Sequence, residues 1–293
     1  MSGESGTDDC GQAAIPGDTS SLQGSAKRIG PEICLLLAAE RSGTHLLRSL
    51  LANVRGVAAP GEICNATVAE NRTAKASFFR YRQQACLEDP EFFFATEPTQ
   101  RKLLDGFIGH LRSAYAGKAL VVLDVKYAHV HNFNSFWWDP LDSPYLLQYA
   151  KRNRLKIVHL IRREVYRTAI SGFYANETGI WRARSEQETR QIRIAVDPDK
   201  LQKKASLVAR TIGRFDDWLS RVPHLPIDYE DLLKNREAVL RSLQSYLGLK
   251  HEIADRPGFV KTTPPLEDSV ENFSEIEPLL GLDWKSVSRA RKS

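Results

Sequence analysis

Long hydrophobic segments and paired cysteines are both missing from this sequence of 293 residues. The longest apolar run extends only from Ile33 to Ala39, far short of the roughly 20 residues that cross a bilayer. The sequence shows no charged segment followed by an apolar one at its start, so we expect no secretory signal and a cytoplasmic location. The four cysteines form no Cys-x-x-Cys pair, which argues against a zinc site and agrees with a reducing compartment.

A strong excess of charge of either sign is also absent. The chain has 41 lysines and arginines against 36 acidic residues, a net charge of +5. The basic residues occur in short clusters, such as residues 151–154, and not in the dense stripe that typifies a nucleic-acid-binding surface. This balance argues against a nucleic-acid partner, and it permits an anionic small-molecule ligand without requiring one.

Residues 1–28 contain few large apolar side chains, and we expect them to form a disordered tail. From residue 29 to residue 293, strand-length apolar runs alternate with helical patterns, and no further break in composition is visible. This alternation predicts one α/β domain with a P-loop-like three-layer fold, in which helices flank a central, mostly parallel sheet. The predicted strands are Ile33–Ala39, Val57–Gly61, Leu120–Val125, Lys156–Ile161 and Leu225–Asp228. The predicted helices include Thr44–Val54, Glu164–Asn176, Lys200–Val222 and Glu230–Leu247.

The turn between the first predicted strand and helix, Glu40-Arg-Ser-Gly-Thr44, has the features of an anion site. It lies at the carboxyl end of a strand, where α/β sheets bind ligands, and at a helix N-terminus with unpaired N–H groups. Arg41 adds a fork of donors, and Gly43 permits a close approach. The lysine that follows the glycine in nucleotide kinases is missing. A simpler interpretation is that Ser42 and Thr44 only cap the helix.

A second set of candidate anion ligands follows the predicted strand Lys156–Ile161. Arg163 lies at the carboxyl end of this strand, and Ser171 comes eight residues later, about two helical turns along roughly the same face. If this strand neighbours the first one, Arg163 and Ser171 could hold a second phosphate opposite the turn. The alternative is that Arg162 and Arg163 are surface charges and that Ser171 is an ordinary helix residue.

Taken together, these segments resemble the sulfotransferases that use 3′-phosphoadenosine 5′-phosphosulfate, in particular the bacterial carbohydrate branch that includes the Nod-factor and trehalose sulfotransferases. The resemblance extends from about residue 33 to residue 276. It is carried by the segments Arg41–His45, Pro60–Asn65, Leu160–Arg163, Ala169–Ser171, Glu177–Trp181, Ile227–Leu232 and Val260–Asn272. It implies the sulfotransferase fold and transfer of a sulfuryl group from this donor, without a metal and with adenosine 3′,5′-bisphosphate as the product.

The resemblance also implies roles for individual residues. The residues implied to bind the 5′-phosphosulfate are Arg41, Ser42, Gly43, Thr44 and His45. The 3′-phosphate would be bound by Arg163 and Ser171, and Lys261 would complete the nucleotide site. Trp181 is a candidate stacking partner for the adenine, or alternatively a core tryptophan.

Sulfuryl transfer requires a base to accept the proton of the acceptor hydroxyl. Glu62 follows a Pro-Gly pair at the end of a short predicted strand, and it matches the position of the base in glycan-modifying relatives. We therefore assign Glu62 as the base, with Arg41 stabilising charge at the reacting centre. Lys126, at the end of the strand Leu120–Val125, is a candidate catalytic contact of the sulfuryl group or of the substrate, or alternatively a surface lysine. The alternative for Glu62 is a surface carboxylate or an ion-pair partner of Arg41. The rival bases are His45, His129 and His131.

The acceptor is less clearly indicated by the sequence. The aromatic residues after the strand Leu120–Val125 would suit a sugar ring, a lipid or an aryl group, or they would belong to the core. These aromatic residues are Phe133, Phe136, Trp137 and Trp138. Residues 66–118 are expected to contribute helices beside the acceptor cleft. We expect a carbohydrate or glycolipid hydroxyl as the acceptor.

Other functions compete with this one. A small secondary metabolite could supply the acceptor hydroxyl in place of a carbohydrate. A nucleotide kinase or a non-catalytic nucleotide-binding protein would belong to a different class. Some relatives form dimers, so a homodimer is one option, but the sequence indicates no interface.

Overall fold

The computed structural model describes residues 30–65, 75–139, 141–181, 192–256 and 264–289. The predicted tail and Lys261 lie outside these ranges. The strands are β1 (Glu32–Ala38), β2 (Val57–Glu62), β3 (Leu120–Lys126), β4 (Lys156–Ile161) and β5 (Leu225–Asp228). The helices are α1 (Thr44–Ala52), α2 (Phe78–Glu88), α3 (Glu97–Ala114), α4 (Tyr145–Arg152), α5 (Val165–Thr178), α6 (Pro198–Leu219), α7 (Tyr229–Lys234), α8 (Arg236–Leu247), α9 (Leu266–Ser269), α10 (Phe273–Leu280) and α11 (Trp284–Arg289).

The five strands form one sheet in the order β2-β3-β1-β4-β5, and every pairing in it is parallel. The strand β4, which precedes Arg163, is therefore a neighbour of β1. This was the condition under which the sequence analysis placed Arg163 and Ser171 opposite the turn. In the register, Ala38 at the end of β1 lies opposite Lys126 on one side and Leu160 on the other. The carboxyl ends of β1, β3 and β4 thus meet around the turn that leads into α1.

The sheet is covered by helices on both faces, which confirms the predicted three-layer fold. Alternate residues of β1 belong to two different hydrophobic clusters, with Leu35 and Leu37 on one face and Cys34 and Leu36 on the other. Side chains of α1, α7 and α8 complete one cluster, and side chains of α2 to α6 and α9 to α11 complete the other. Because both faces of β1 are buried, its sequence is a continuous apolar run.

The helices differ from the sequence prediction in several places. The predicted helix Glu230–Leu247 is two helices, α7 and α8, since Asn235 between them has φ −121° and ψ 38°, outside the helical region. The helices α4, α9, α10 and α11 were not predicted, whereas α2 and α3 occupy the segment that was expected to contribute helices. The remaining helix and strand ends lie within a few residues of their predicted positions. Among the helices in the described ranges, none is both long and apolar enough to cross a membrane.

Candidate active site

The turn between β1 and α1 has the backbone of an anion-binding loop. Arg41 and Gly43 both have positive φ, 63° and 88°, and Gly43 is the N-cap residue of α1. A Cβ atom at Gly43 would lie 2.3 Å from Cε2 of Tyr229, so the position requires glycine both for its φ and for its space. Because glycine has no side chain to cap the helix, no capping hydrogen bond is present, and the first amides of α1 remain available to a ligand.

Lys126 connects this turn to the carboxylates of the neighbouring strands. Its Nζ donates a hydrogen bond to Thr44 Oγ1 at 2.6 Å and to both oxygens of Asp124 at 2.8 and 2.9 Å. The same Nζ lies 3.5 Å from Glu62 Oε1. Lys126 is only 4% exposed, so these contacts are strong compared with those of a surface lysine. The hydroxyl of Thr44 therefore accepts from a buried ammonium group and does not cap α1.

Glu62 ends β2, and it is the least buried member of this cluster, with 19% of its side chain exposed. Its second oxygen, Oε2, accepts a hydrogen bond from Asn65 Nδ2 at 3.2 Å. Its ion-pair partner is Lys126, so the alternative in which Glu62 pairs with Arg41 does not occur. Glu62 is thus oriented on both oxygens and still reached by solvent, as a base for an incoming hydroxyl must be.

The sequence analysis missed two charged members of the cluster, Asp124 and Arg48. Arg48 Nη1 lies 3.3 Å from Asp124 Oδ2, and the side chain of Asp124 is fully buried. Two signals in the sequence point to these residues. Asp124 is a carboxylate in an otherwise apolar strand, and Arg48 follows Thr44 by four residues, which places both on one face of α1.

Arg41 and Ser171 lie together, although the sequence analysis assigned them to two different phosphate positions. Arg41 Nε donates to Ser171 Oγ at 3.1 Å, and Arg41 Nη1 donates to the carbonyl oxygen of Trp181 at 2.7 Å. The Arg41 guanidinium carbon is 5.9 Å from the centre of the Trp181 ring. Trp181 is about half exposed, so it is not a core tryptophan.

Arg163 is not in contact with Ser171 in the described part of the chain. Its Nε donates to Asp228 Oδ1 at 2.9 Å, its Nη1 is 3.8 Å from Asp216 Oδ2, and its guanidinium lies over the ring of Trp284. Burial raises the pKa of both aspartates, and the charge of Arg163 opposes that rise. The structure therefore places Arg163 in a carboxylate cluster on the β5 side of the sheet.

The adjacent arginine, Arg162, lies against the turn. It is 9% exposed, and its Nη1 donates to the carbonyl oxygen of Arg41 at 3.0 Å. Its guanidinium carbon lies 4.9 Å from the centre of the Tyr229 ring, the same ring that packs on Gly43. Neighbouring residues at a strand end point to opposite sides. Arg162 therefore lies against the turn, and Arg163 lies in the carboxylate cluster. The interpretation of Arg162 as a surface charge is wrong.

The candidate histidines have different surroundings. Burial lowers the pKa of His45 to about 4, and the charges of Arg48 and Lys126 add to this shift. His45 is therefore neutral near pH 7. His129 and His131 lie on the 3₁₀ segment Tyr127–Phe133 that follows β3. In the described ranges neither of these two forms an ion pair.

The aromatic residues after β3 divide between core and surface. Phe133 is fully buried, and its ring centre is 4.4 Å from that of Phe78. Trp138 is partly buried and packs edge-on against Tyr145. In contrast, Phe136 and Trp137 are exposed, Trp137 by 94%. Only the exposed pair is open to contact with an acceptor.

A parallel sheet whose central strand leads through a glycine-containing turn into a helix N-terminus defines the P-loop-like α/β class of protein. Residues 34–253 match the model of the sulfotransferase family, and the chain therefore belongs to this family. No curated protein matches the sequence. Within the described ranges, no group of three or more His, Cys, Asp or Glu side chains could hold a metal ion.

Several solved sulfotransferase structures are similar to this one. The sulfotransferase domain from the curacin biosynthetic pathway is 19% identical, with a TM-score of 0.44, over 76% of this chain and 75% of that one. The sulfotransferase domain of the Synechococcus PCC 7002 olefin synthase is 17% identical, with a TM-score of 0.46, over 91% and 92% of the two chains. Sulfotransferase STF1 from Mycobacterium tuberculosis H37Rv is 13% identical, with a TM-score of 0.39, over 88% and 75%.

Proposed function

We propose that this sulfotransferase transfers the sulfuryl group of 3′-phosphoadenosine 5′-phosphosulfate to a hydroxyl of a carbohydrate or glycolipid, with Glu62 as the general base. One observation supports this proposal above the others. The ammonium group of Lys126 contacts both Thr44 of the anion-binding turn and the Glu62 carboxylate. A group bound at the turn would therefore lie next to both a cation and a base.

The donor site follows from the turn and from the family resemblance. The uncapped amides of α1, with the side chains of Arg41 and Thr44, would hold the 5′-phosphosulfate, since a helix N-terminus favours anions. Ser171, which accepts a hydrogen bond from Arg41, would contact the 3′-phosphate. The resemblance adds Arg163 and Lys261 to this nucleotide site, and these two assignments remain predictions.

The reaction then needs three contributions from the chain. The acceptor oxygen forms a bond to sulfur while the bond from sulfur to the phosphate oxygen breaks, and adenosine 3′,5′-bisphosphate leaves with the electron pair. Glu62 accepts the hydroxyl proton, and Asn65 holds the carboxylate in position. Lys126 and the amides of the turn stabilise the negative charge on the sulfuryl and leaving oxygens. Positioning and charge stabilisation supply most of the rate enhancement in such group transfers.

The exposed aromatic pair supports a ring-containing acceptor. Phe136 and Trp137 follow β3, the strand that carries Lys126 at its end, and their exposed ring faces suit stacking on a sugar. A small secondary metabolite with an aryl group would suit the same faces. The acceptor screen below therefore includes both classes.

Two measurements test this function. Calorimetric titration should show that the protein binds adenosine 3′,5′-bisphosphate in preference to ATP, and a preference for ATP would contradict the proposal. A transfer assay with ³⁵S-labelled donor, run against sugars, lipo-oligosaccharides and phenols, should then label at least one of the sugar-containing acceptors. Labelling of phenols alone would retain the donor and refute the carbohydrate acceptor.

A further inference from the structure

We propose that Asp124 and Arg48 are positioning residues, which keep Glu62 available as a base by fixing how the charge of Lys126 is shared. The inference rests on the proposed function, in which Glu62 accepts the proton of the acceptor hydroxyl. Neither positioning residue was identified from the sequence, and the resemblance assigns a role to neither. Both act through Lys126 and Glu62, and we assign neither of them a contact with the donor or the acceptor.

Glu62 and Asp124 are neighbouring carboxylates at one edge of the sheet. In the parallel pairing of β2 with β3, Glu62 lies opposite Asp124, and both carboxylates lie within 3.5 Å of Lys126 Nζ. The side chain of Asp124 is fully buried, whereas 19% of the Glu62 side chain is exposed. Like charges so close together disfavour each other's ionised form. The placement of the cations therefore decides how readily Glu62 takes up a proton.

Lys126 is held more tightly by Asp124 than by Glu62. Its Nζ lies 2.8 and 2.9 Å from the two oxygens of Asp124 but 3.5 Å from Glu62 Oε1. Because attraction weakens with distance, Asp124 takes the larger share of the ammonium charge. Without Asp124, the whole charge of Lys126 would act on Glu62, and a carboxylate in a full ion pair is a weaker base.

Arg48 is the second cation on Asp124, and it also contacts the backbone just before the base. Its Nη1 lies 3.3 Å from Asp124 Oδ2. Gly61 has a φ of 119° at an irregularity in the pairing of β2 with β3. A Cβ atom at Gly61 would lie 3.1 Å from Arg48 Nη2, so the guanidinium packs directly on this glycine. Irregularities of this kind commonly re-aim a side chain, and the next side chain here is that of Glu62.

Five titratable side chains of the described ranges, from three elements, face one another at this edge. The helix α1 contributes His45 and Arg48, β2 contributes Glu62, and β3 contributes Asp124 and Lys126. Burial lowers the pKa of His45 to about 4; the two cations add to this shift, and the two carboxylates oppose it. His45 is therefore neutral near pH 7. Loss of Asp124 and loss of Arg48 then unbalance the remaining charges in opposite directions.

The test removes each positioning residue and leaves the base in place, in the variants Asp124→Asn and Arg48→Met. Asp142→Asn and Arg55→Met, which replace exposed residues, are the matched controls. One readout is the pH dependence of kcat in the transfer assay. The other is the titration of the Glu62 carboxyl carbon by ¹³C NMR, assigned with Glu62→Gln. Thermal unfolding shows whether each variant folds.

The two variants should shift both readouts in opposite directions. In Asp124→Asn, the acid limb of the pH profile and the Glu62 titration should move to lower pH by roughly one unit, because a like charge is lost and Lys126 is released to Glu62. In Arg48→Met, both should move to higher pH, because a cation is lost and Asp124 draws Lys126 away from Glu62. Both controls should match the wild type. A purely structural role would not produce shifts of opposite sign.

Several results would overturn the inference. Shifts of the same sign in both variants, or no shift in either, would mean that the two residues only support the fold. If Asp124→Asn fails to fold, Arg48→Lys decides the question together with Arg48→Met. Arg48→Lys keeps the charge and should titrate close to the wild type; a shift as large as that of Arg48→Met would refute the proposal.

The NMR readout separates this inference from the proposed function, because it needs neither donor nor acceptor. If the wild type transfers no sulfuryl group to any acceptor but the Glu62 titration shifts in opposite directions in the two variants, the proposed function is wrong and the charge arrangement stands. If the wild type labels a sugar-containing acceptor and neither readout moves in the variants, the proposed function stands and the positioning role is wrong.

Discussion

Two buried cations flank the central strand of the sheet, and they differ in how their charges are neutralised. Lys126, at the end of β3, has two carboxylates within 3.5 Å, those of Asp124 and Glu62. Among the described residues, Arg162, directly after β4, forms no ion pair; it contacts a carbonyl oxygen and an aromatic ring, and the charges of Glu164 and Glu230 act on it from beyond ion-pair distance. A buried ion with partners belongs to the stable framework, whereas one without partners is typical of a ligand site. The two sides of β1 therefore differ in charge pairing, with an ion-paired cation on the β3 side and a cation without an ion pair among the described residues on the β4 side.

The difference between the two sides originates in two short stretches of sequence. On β3, Asp124 precedes Lys126 by two residues, and residues two apart in a strand point to the same face. The carboxylate of Asp124 and the ammonium group of Lys126 are therefore neighbours because of their spacing in the strand. On β4, the residue two before Arg162 is Leu160, which is fully buried and apolar. The strand next to Arg162 thus supplies no counter-charge.

The largest effect is expected from removal of the base. Glu62→Gln should lower kcat by about 10²–10⁴-fold, because the acceptor proton then has no base to receive it. Affinity for adenosine 3′,5′-bisphosphate should stay near the wild-type value, since Lys126 keeps its contacts with Asp124 and Thr44. Steady-state kinetics and calorimetry measure the two quantities. Glu88→Gln, on the exposed face of α2, is the matched control, and a loss of kcat below tenfold in Glu62→Gln would contradict the role of Glu62.

The second prediction compares how removal of Lys126 and removal of Arg162 change the free energy of unfolding. Lys126→Met should lower the free energy of unfolding by about 3 kcal/mol, because a fully buried Asp124 is left with Arg48 as its one remaining charged contact among the described residues. Arg162→Met should change the free energy of unfolding by less than about 1 kcal/mol or raise it, since no carboxylate of the described residues loses an ion-pair partner. Urea denaturation measures both. Equal losses in the two variants would mean that Arg162 supports the fold in the way that Lys126 does, and the contrast between the two sides would fail.

The fold was predictable because strands that are buried on both faces have mostly apolar sequences. The strands β1, β3 and β4 are mostly apolar and alternate with helices, and this pattern is typical of a parallel sheet. The break at Asn235 was not predictable, since Asn occurs both within helices and between them. Only the packing of α7 and α8 on the sheet separates these two possibilities.

The candidate site was predictable in part. The sequence pattern selected the turn and Ser171, which the structure brings into contact through Arg41, and the contact of Lys126 with Glu62 agrees with their positions at adjacent strand ends. The sequence does not reveal which of Arg162 and Arg163 faces the turn. That choice depends on Asp228, which comes from a strand more than sixty residues further along the chain.

The third prediction concerns His159 on β4 and the dependence of protein stability on pH. His159 is fully buried; it shares a hydrogen bond with the hydroxyl of Tyr127, and its Nδ1 is 3.7 Å from Asp216 Oδ1. Burial lowers the pKa of His159 to about 3, and the charges of His224 and Arg163 add to the shift. The folded protein therefore keeps His159 neutral, while the unfolded chain protonates it near pH 6.5. The contribution of His159 to the free energy of unfolding is fully present above pH 6.5 and is lost as the pH falls from 6.5 towards 3.

Urea denaturation at pH 6.5 and at pH 5 tests this dependence. The wild type should lose about 1–2 kcal/mol over this interval through His159, and His159→Gln should lose correspondingly less. His131→Gln, which replaces an exposed histidine, is the matched control and should keep the wild-type dependence. If the pH dependence of His159→Gln equals that of the wild type, then His159 does not oppose protonation in the folded state.

The smallest effect distinguishes the two arginines after β4. Asp228→Asn removes the charge that holds Arg163 at 2.9 Å, and its cost in stability should be below about 1 kcal/mol because the pair is partly exposed. If Arg162 is the arginine that binds the phosphate, affinity for adenosine 3′,5′-bisphosphate should change by less than about threefold, since Arg163 gains freedom without gaining a ligand. If Arg163 binds the phosphate, the same variant should bind more tightly, because the nucleotide no longer competes with Asp228 for the guanidinium. Calorimetry on Asp228→Asn alone and combined with Arg162→Met separates these outcomes, and tighter binding that survives the loss of Arg162 would assign the phosphate to Arg163.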